Sequence, residues 1–327
     1  MTAIRPAMSV VLATDAYETI RDVIDCLRRQ DVRDRLEVVV ATPAPDALRA
    51  ALGEACEFGA VQVVRVDSLI PLGKAWSAGV RKATAPIVVI GETHSFPRPG
   101  WAAALIHAHE GSWGAVVPAF ENANPDGALS WALFLSDYGA WGVGRDPGEL
   151  DRWPGFNSSY SREALLAFGD RLPAALSDNE TLRHGLHARG HRVGFAPGAR
   201  TAHLNVSRLG SWLDERWTSG LTTGFRRARG WSPWRRLAYV VGGPLIPAVL
   251  LWRARDAVRW AARDRRLPPG TLPALALAAV VRSAGEVIAY AGGVRTPPEP
   301  RMTEYEIHKA RYVGDAGSKG ARPPAGP

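Results

Sequence analysis

The chain has 327 residues, 46% of them hydrophobic, which is enough for one large or two modest domains with real cores. Its formal charge of +8 and pI of 9.9 imply an anionic partner: nucleic acid, a membrane surface or a phosphorylated substrate. Cys26 and Cys56 are the only cysteines. Neither has CxxC or Cys/His metal spacing, which excludes a disulfide framework or zinc finger and predicts two reduced thiols in a cytosolic protein.

The first residues run straight into a strand-like segment without an apolar stretch of signal-peptide type. Residues 8–120 then alternate strands and helices. Ser9–Leu12 reads as a strand. Asp15-Ala-Tyr-Glu18 has capping-box spacing, and Ile20, Val23, Ile24 and Leu27 follow at helical intervals. Leu36–Ala41 and Val61–Val66 read as the next strands, Lys74–Lys82 as a helix, and Ile87–Ile90 as a fourth strand. A helix over Pro99–His109 and a strand over Ala115–Phe120 complete the series. Near-continuous Val/Ile runs separated by helices are what a parallel sheet buried on both faces requires.

From about residue 121 the pattern breaks into turn-rich sequence with a short aromatic helix around Trp131–Tyr138. A helix over Asp178–Arg189, a short strand over Arg192–Phe195 and His203 follow. Past residue 210 the character changes. Six of the twelve tryptophans fall among many arginines, and the apolar segments Ala238–Trp252 and Leu272–Val281 are interrupted by proline or charge. No uninterrupted apolar run reaches the length of a standard membrane span. Residues 294–327, rich in proline and glycine, read as a disordered tail.

The segment Ile87-Val-Val-Ile-Gly-Glu-Thr-His94 carries the strongest chemical signal. Residues two apart in an extended segment point to one side, so Glu92 and His94 would face one ligand at the strand's carboxyl end. Open α/β sheets keep their binding crevice at that edge. His184, His187 and His191 share helical spacing, but Gly190 ends the helix before the last, so a zinc site there is not expected.

With these pieces in order, residues 8 to about 208 resemble a family 2 glycosyltransferase of the GT-A fold, of the bacterial type with a basic C-terminal membrane-associated extension. Val10-Val-Leu-Ala-Thr-Asp15 is similar to the family's first strand and nucleotide loop, and Gly73-Lys-Ala-Trp-Ser-Ala-Gly79 to its glycine-containing helix start. Glu92-Thr-His94 stands in the place of the DXD motif. Phe156-Asn-Ser-Ser-Tyr-Ser-Arg162 is similar to the segment that contacts the donor sugar. Ser177-Asp-Asn-Glu-Thr-Leu182 through His203 resembles the stretch that carries the catalytic base and ends in a histidine.

The resemblance implies an α/β, Rossmann-like GT-A domain with a mostly parallel sheet, followed by a C-terminal helical region. It would occupy residues 1–210, with a nucleotide-sugar half at about 1–96 and an acceptor half at about 97–210. Residues 211–293 would be the helical, Trp/Arg-rich part. The implied donor contacts are Ala13, Thr14, Asp15, Asp67, Gly73, Lys74, Glu92, Asn157 and Ser158. The implied metal ligands are Glu92, His94 and His203, holding Mn2+ or Mg2+, with the imidazoles favouring manganese. Asp178 or Glu180 would be the base.

Three features depart from the family pattern. DXD is Glu-Thr-His, the second strand ends in Ala41-Thr-Pro-Ala-Pro without the acid that reads the donor base, and the usual Glu-Asp pair is Asp178-Asn179. The expected activity is inverting sugar transfer from a nucleotide diphosphate to a lipid-linked or polysaccharide acceptor. A non-catalytic relative that binds nucleotide-sugar or glycan is the alternative that these departures motivate. The Trp/Arg region shows no nucleic-acid reading module, so an anionic membrane is the expected partner, met from the cytoplasmic face in peripheral or re-entrant fashion. Glu286, an acid in an apolar run, is expected either to pair with an arginine or to sit at an acceptor mouth.

Overall fold

The computed structural model describes residues 5–53, 57–264, 267–296 and 298–314. Cys56 and the residues beyond Gly314 lie outside these, while Cys26 is a buried free thiol. The chain forms two compact units. The first comprises the residues up to Glu121 with Val143–His203, and the second comprises Asn122–Gly142 with the residues from Leu204 onward.

In chain order come β1 (Met8–Ala13), α1 (Tyr17–Arg28), β2 (Leu36–Thr42), α2 (Pro45–Leu52), β3 (Ala60–Arg65), α3 (Leu72–Lys82) and β4 (Ile87–Ile90). Then follow β5 (Ser95–Pro97), α4 (Trp101–Ala108), β6 (Ala115–Asn122), α5 (Ala128–Asp137), β7 (Gly148–Glu149) and β8 (Ser159–Ser161). Helices α6 (Arg162–Leu166), α7 (Leu172–Ser177) and α8 (Asn179–His187) precede β9 (Val193–His203). The chain continues as α9 (Leu209–Arg227), α10 (Pro233–Val241), α11 (Ile246–Asp264), α12 (Thr271–Tyr290) and α13 (Glu299–Ile307).

The strands form one sheet in the order β3-β2-β1-β4-β8-β6-β9-β5, with β7 paired to β9. The β3-β2-β1-β4 half is parallel, as the apolar runs predict. Every residue of β1, β2 and β4 is buried. Ser9 and Glu37 place polar groups in that interior, and they satisfy each other. Ser9 donates to the Glu37 carboxylate, which also accepts from the Thr84 backbone N–H at 2.7 Å and the Thr84 hydroxyl at 2.9 Å. Burial raises the Glu37 carboxyl, and these donors outweigh it, holding it below the usual range. Beyond β4 the pairings of β8 with β4 and β6, and of β9 with β5 and β7, are antiparallel.

Local signals fared unevenly. Asp15 is not the N-cap: α1 starts one residue later than its capping-box spacing predicts, with Ala16 at the N-cap and no side-chain cap there. The Thr19 hydroxyl instead donates to the Ala16 carbonyl at 2.7 Å. The expected short strand at Arg192–Phe195 is the start of β9, eleven residues long and running to His203. The tail expected over 294–327 contains α13, whose Tyr305 is fully buried. Tyr305 donates its hydroxyl to Asp214 at 2.6 Å, and Arg301 reaches the same carboxylate at 2.7 Å, so side-chain anchoring orders a segment whose composition reads as disordered.

In the second unit α9 packs along α12, with α5 on the same core. Gly220 of α9 lies against the Arg282 carbonyl of α12, and Gly285 of α12 lies against the Trp217 carbonyl of α9, so any side chain at either position would collide with backbone. Residues Ser130–Leu135 of α5 are all buried, as a helix that is apolar all round requires. This is why the chain divides at 122–142 as well as near 204, where composition shows a single boundary near 210. The exits from β6 and β9 are joined by amides. Asn122 Oδ1 accepts from Ser130 Oγ and Asn205 Nδ2, both at 2.9 Å, and Asn124 Nδ2 donates to the Asn205 carbonyl at 2.8 Å.

Glu286 is paired. It accepts from Tyr290 at 2.8 Å and faces Arg227 at 3.4 Å and Arg282 at 3.5 Å. Arg216 is buried between Asp137, at 2.8 Å, and Glu215, at 2.6 Å. Burial raises the Asp137 carboxyl and Arg216 more than offsets it, leaving it at about 2. A group depressed in the folded state stabilises fully above its unfolded value of about 4. That stability is lost as pH falls toward about 2. Replacing Arg216 by Met should cost about 3–5 kcal/mol in urea unfolding at neutral pH, because two carboxylates lose their shared partner. Unfolding of this variant near pH 3 should lie closer to the parent than at pH 7.

Candidate metal and nucleotide site

Because β3, β2, β1 and β4 run parallel, their carboxyl ends share one edge, the crevice side of such sheets. Ala13 ends β1, with Thr14 buried and Asp15 exposed just beyond it. Asp67 is exposed two residues past β3, and Lys74 is exposed in the first turn of α3. Glu92 and His94 follow β4 at the same edge. They do not share the face of an extended strand. The strand ends at Ile90, Thr93-His94 form a turn, and that turn aims the acid and the imidazole together.

His203 completes the group. In the antiparallel β5–β9 ladder it sits opposite Ser95, the residue after His94. His94 Nε2 and His203 Nε2 are 3.2 Å apart. Each faces Glu92 Oε2, at 3.2 and 3.5 Å respectively. All three residues are buried, and their ligand atoms lie within 4.8 Å of one another. Neighbouring ligands of a four-coordinate divalent ion with bonds of about 2.0–2.1 Å stand about 3.3 Å apart. Two imidazole nitrogens and a carboxylate oxygen at 3.2–3.5 Å therefore fit such an ion.

The supporting residues are equally specific. Ser95 Oγ donates to Glu92 Oε2 at 2.8 Å, and Asn157 Nδ2 donates to the same oxygen at 2.6 Å and to Ser95 Oγ at 2.9 Å. Thr93 Oγ1 lies 3.4 Å from His94 Nδ1, on the side of the ring away from the cluster. Asn157 has φ 56°, the one positive φ outside glycine among the described residues. Asparagine tolerates that conformation, and its N–H bonds the Ile90 carbonyl at 2.7 Å, pinning the loop against the end of β4. The neighbouring Phe156 packs against Trp76 of α3, ring centroids 4.7 Å apart and the planes tilted by 34°.

Other expected contacts have different duties. Thr14 spends its hydroxyl on the Ala16 carbonyl at 2.8 Å. Ser158 is fully buried and donates to the Pro154 carbonyl at 2.7 Å, so its hydroxyl holds the loop. Gly73 faces the Pro173 carbonyl and Ser177 of α7, where a side chain would collide, so its glycine serves helix packing. Asp178 caps α8, accepting from Thr181 N at 3.0 Å and Thr181 Oγ1 at 2.6 Å. Glu180 is exposed and pairs with Arg183 and, at 3.9 Å, His184. Ser95 escaped sequence reasoning; its adjacency to His94 was the available signal, but only the fold turns its hydroxyl onto Glu92.

The α/β class, the parallel strands and the C-terminal helical region expected of the GT-A resemblance are all present. No family model matches the sequence, and no curated protein matches it. Among solved structures it is similar to the mannosyltransferase PcManGT of Pyrobaculum calidifontis, in complex with GDP-Man and Mn2+. That likeness has 20% identity and a TM-score of 0.49, covering 97% of this chain and 83% of that one. Residues 1–349 of S. aureus TarS with UDP match at 15% identity and a TM-score of 0.47, covering 88% of this chain and 93% of that one. GalNAc-T7 with UDP, GalNAc and Mn2+ matches at 15% identity and a TM-score of 0.48 over 61% of this chain. The chain spans 43% of that last protein's length. At these scores the likenesses carry no chemistry to this chain, which must come from its own residues.

Proposed function

We propose that this chain is a metal-dependent glycosyltransferase, moving a hexose from a nucleotide diphosphate to a lipid-linked or polysaccharide acceptor at the cytoplasmic face of the cell membrane. The observation that carries this reading is the buried Glu92–His94–His203 cluster at the carboxyl edge of the parallel strands. A bound divalent cation would supply positive charge against the departing diphosphate. Two imidazole ligands suit Mn2+ better than Mg2+.

The protein's own groups do the rest. Asn157 and Ser95 fix the Glu92 oxygen, so the ligand set needs no rearrangement when the donor arrives. Asp15 and Asp67 flank the crevice on the nucleotide side, and Lys74 offers a cation in the first turn of α3. Asp178 takes the proton of the acceptor hydroxyl. The hydroxyl oxygen bonds to the anomeric carbon, the carbon–phosphate oxygen bond breaks, and its electron pair leaves with the diphosphate. A single base and attack from the opposite side make the transfer inverting.

The test is a panel of nucleotide sugars, followed by thermal shift and by hydrolysis, with and without Mn2+. Manganese-dependent stabilisation and turnover with one donor is the expected result, and the absence of both with every donor overturns the reading. Donor binding without turnover favours the alternative, a non-catalytic relative that binds nucleotide-sugar as a partner subunit. The capping duty of Asp178 and the surface pairing of Glu180 favour that alternative. A further expected outcome concerns the orienting shell: Asn157→Gly keeps the backbone conformation but loses the amide, and should weaken Mn2+ binding by about 10–100-fold in calorimetry.

A further inference from the structure

Among the described residues, every exposed large apolar side chain except Ile70 lies in the second unit. They are not scattered. Trp234, Leu237, Val241, Leu245, Val249 and Trp252 recur at intervals of three and four from α10 into α11. They form one helical stripe with a tryptophan at each end. Its side chains are strongly exposed, at 79% for Trp234, 72% for Val241, 68% for Leu245 and 62% for Trp252. No residue of α10 is buried. On α12 the exposed positions Pro273, Leu277, Val280, Ala284 and Ile288 make a second stripe without a charge. A helix face turned to water is ordinarily polar, so these two are built for another surroundings.

We infer that the α10–α11 and α12 stripes seat the protein on an anionic lipid bilayer, with the helices lying in the leaflet plane. Charge identifies the occupant. Between Arg226 and Asp264 the chain has nine arginines against two aspartates. Arg255 lies over the Trp252 ring at 4.0 Å, which places a cation beside the tryptophan at one end of the first stripe, and the exposed Arg235 adjoins Trp234 in the chain at the other. Tryptophan rings beside arginines suit the headgroup zone, with the aliphatic residues between them reaching the acyl chains. A second copy laid face to face would bring the same arginines together.

The helices lie in the surface because α10 and α11 meet at a 49° bend, at Gly242-Gly-Pro, and so do not make a straight span. Helix α12 is long and apolar enough to cross a membrane by length and composition. However, its other face is packed on α9 and α5, and it holds the ion-paired Glu286. Arginine side chains can snorkel to the phosphates from this depth.

This inference rests on the second unit's surface and stands apart from the sugar-transfer reading, since vesicle binding needs neither metal nor donor. The experiment is flotation of the full-length chain with vesicles of phosphatidylcholine alone or containing phosphatidylglycerol. Binding should favour the anionic vesicles by tenfold or more, and raising the salt should weaken it without abolishing it. The variant W234S/V241S/L245S/W252S changes only exposed positions and should lose at least about a hundredfold in partitioning. Its unfolding midpoint and Mn2+ affinity should match the parent. Equal binding of parent and variant, or no preference for anionic vesicles, overturns the inference. So does a dimer in sedimentation that the variant dissolves while neither form binds vesicles.

Discussion

Replacing His94 by Ala should lower manganese-dependent transfer by about a hundredfold or more, the scale of losing one principal electrostatic group. The same substitution should weaken Mn2+ binding in calorimetry, and Glu92→Gln and His203→Ala should do likewise, because the three ligand atoms act as one set. His94 follows the strand in a turn, and its ring packs against His203. Its loss should therefore leave the parallel strands folded, with far-UV circular dichroism unchanged. A His94→Ala protein with full turnover and the parent's manganese dependence would sink the metal assignment. The double variant with His203→Ala should add little to the single loss, since one missing ligand already opens the set.

Asp178→Asn should reduce transfer by about a hundredfold to ten-thousandfold while leaving donor affinity within a factor of two or so. This substitution separates two duties. Asn is as good an N-cap as Asp, so its amide oxygen still accepts from Thr181 N and α8 keeps its start. What it removes is the ability to take a proton. A fall in stability without a fall in turnover would make Asp178 a cap alone. Near-normal turnover here, with loss in Glu180→Gln, would move the base by two residues, onto a side chain that now pairs with Arg183.

Most of the parallel-strand scaffold was legible in the order of residues. Strand β4 spans the predicted Ile87–Ile90, and β1, β2 and α3 match to within two residues at either end. A strand buried on both faces must be apolar throughout, so one-dimensional pattern and three-dimensional position carry the same information. The antiparallel half was harder to read. Strands β5, β7 and β8 have two or three residues each, too short for any period to register. The α1 cap went astray because Asp15 has the spacing but the helix starts later. The ordered segment at α13 was hidden because its anchor, Asp214, is 91 residues from Tyr305.

The sequence by itself determined the α/β class, the strand Ile87–Ile90 that leads to Glu92 and His94, and the change of character past residue 210. Each is a matter of local composition and spacing. Tertiary structure alone decided what those residues meet. His203 reaches His94 across 109 residues because the β5–β9 register sets it opposite Ser95. The Glu92 oxygen is held by an asparagine 65 residues away. The apolar residues of α10, α11 and α12 face outward because α9 and α5 already fill the inner side of α12. Sequence states which side chains are apolar or can ligate, whereas register and packing decide which of them converge and which remain exposed.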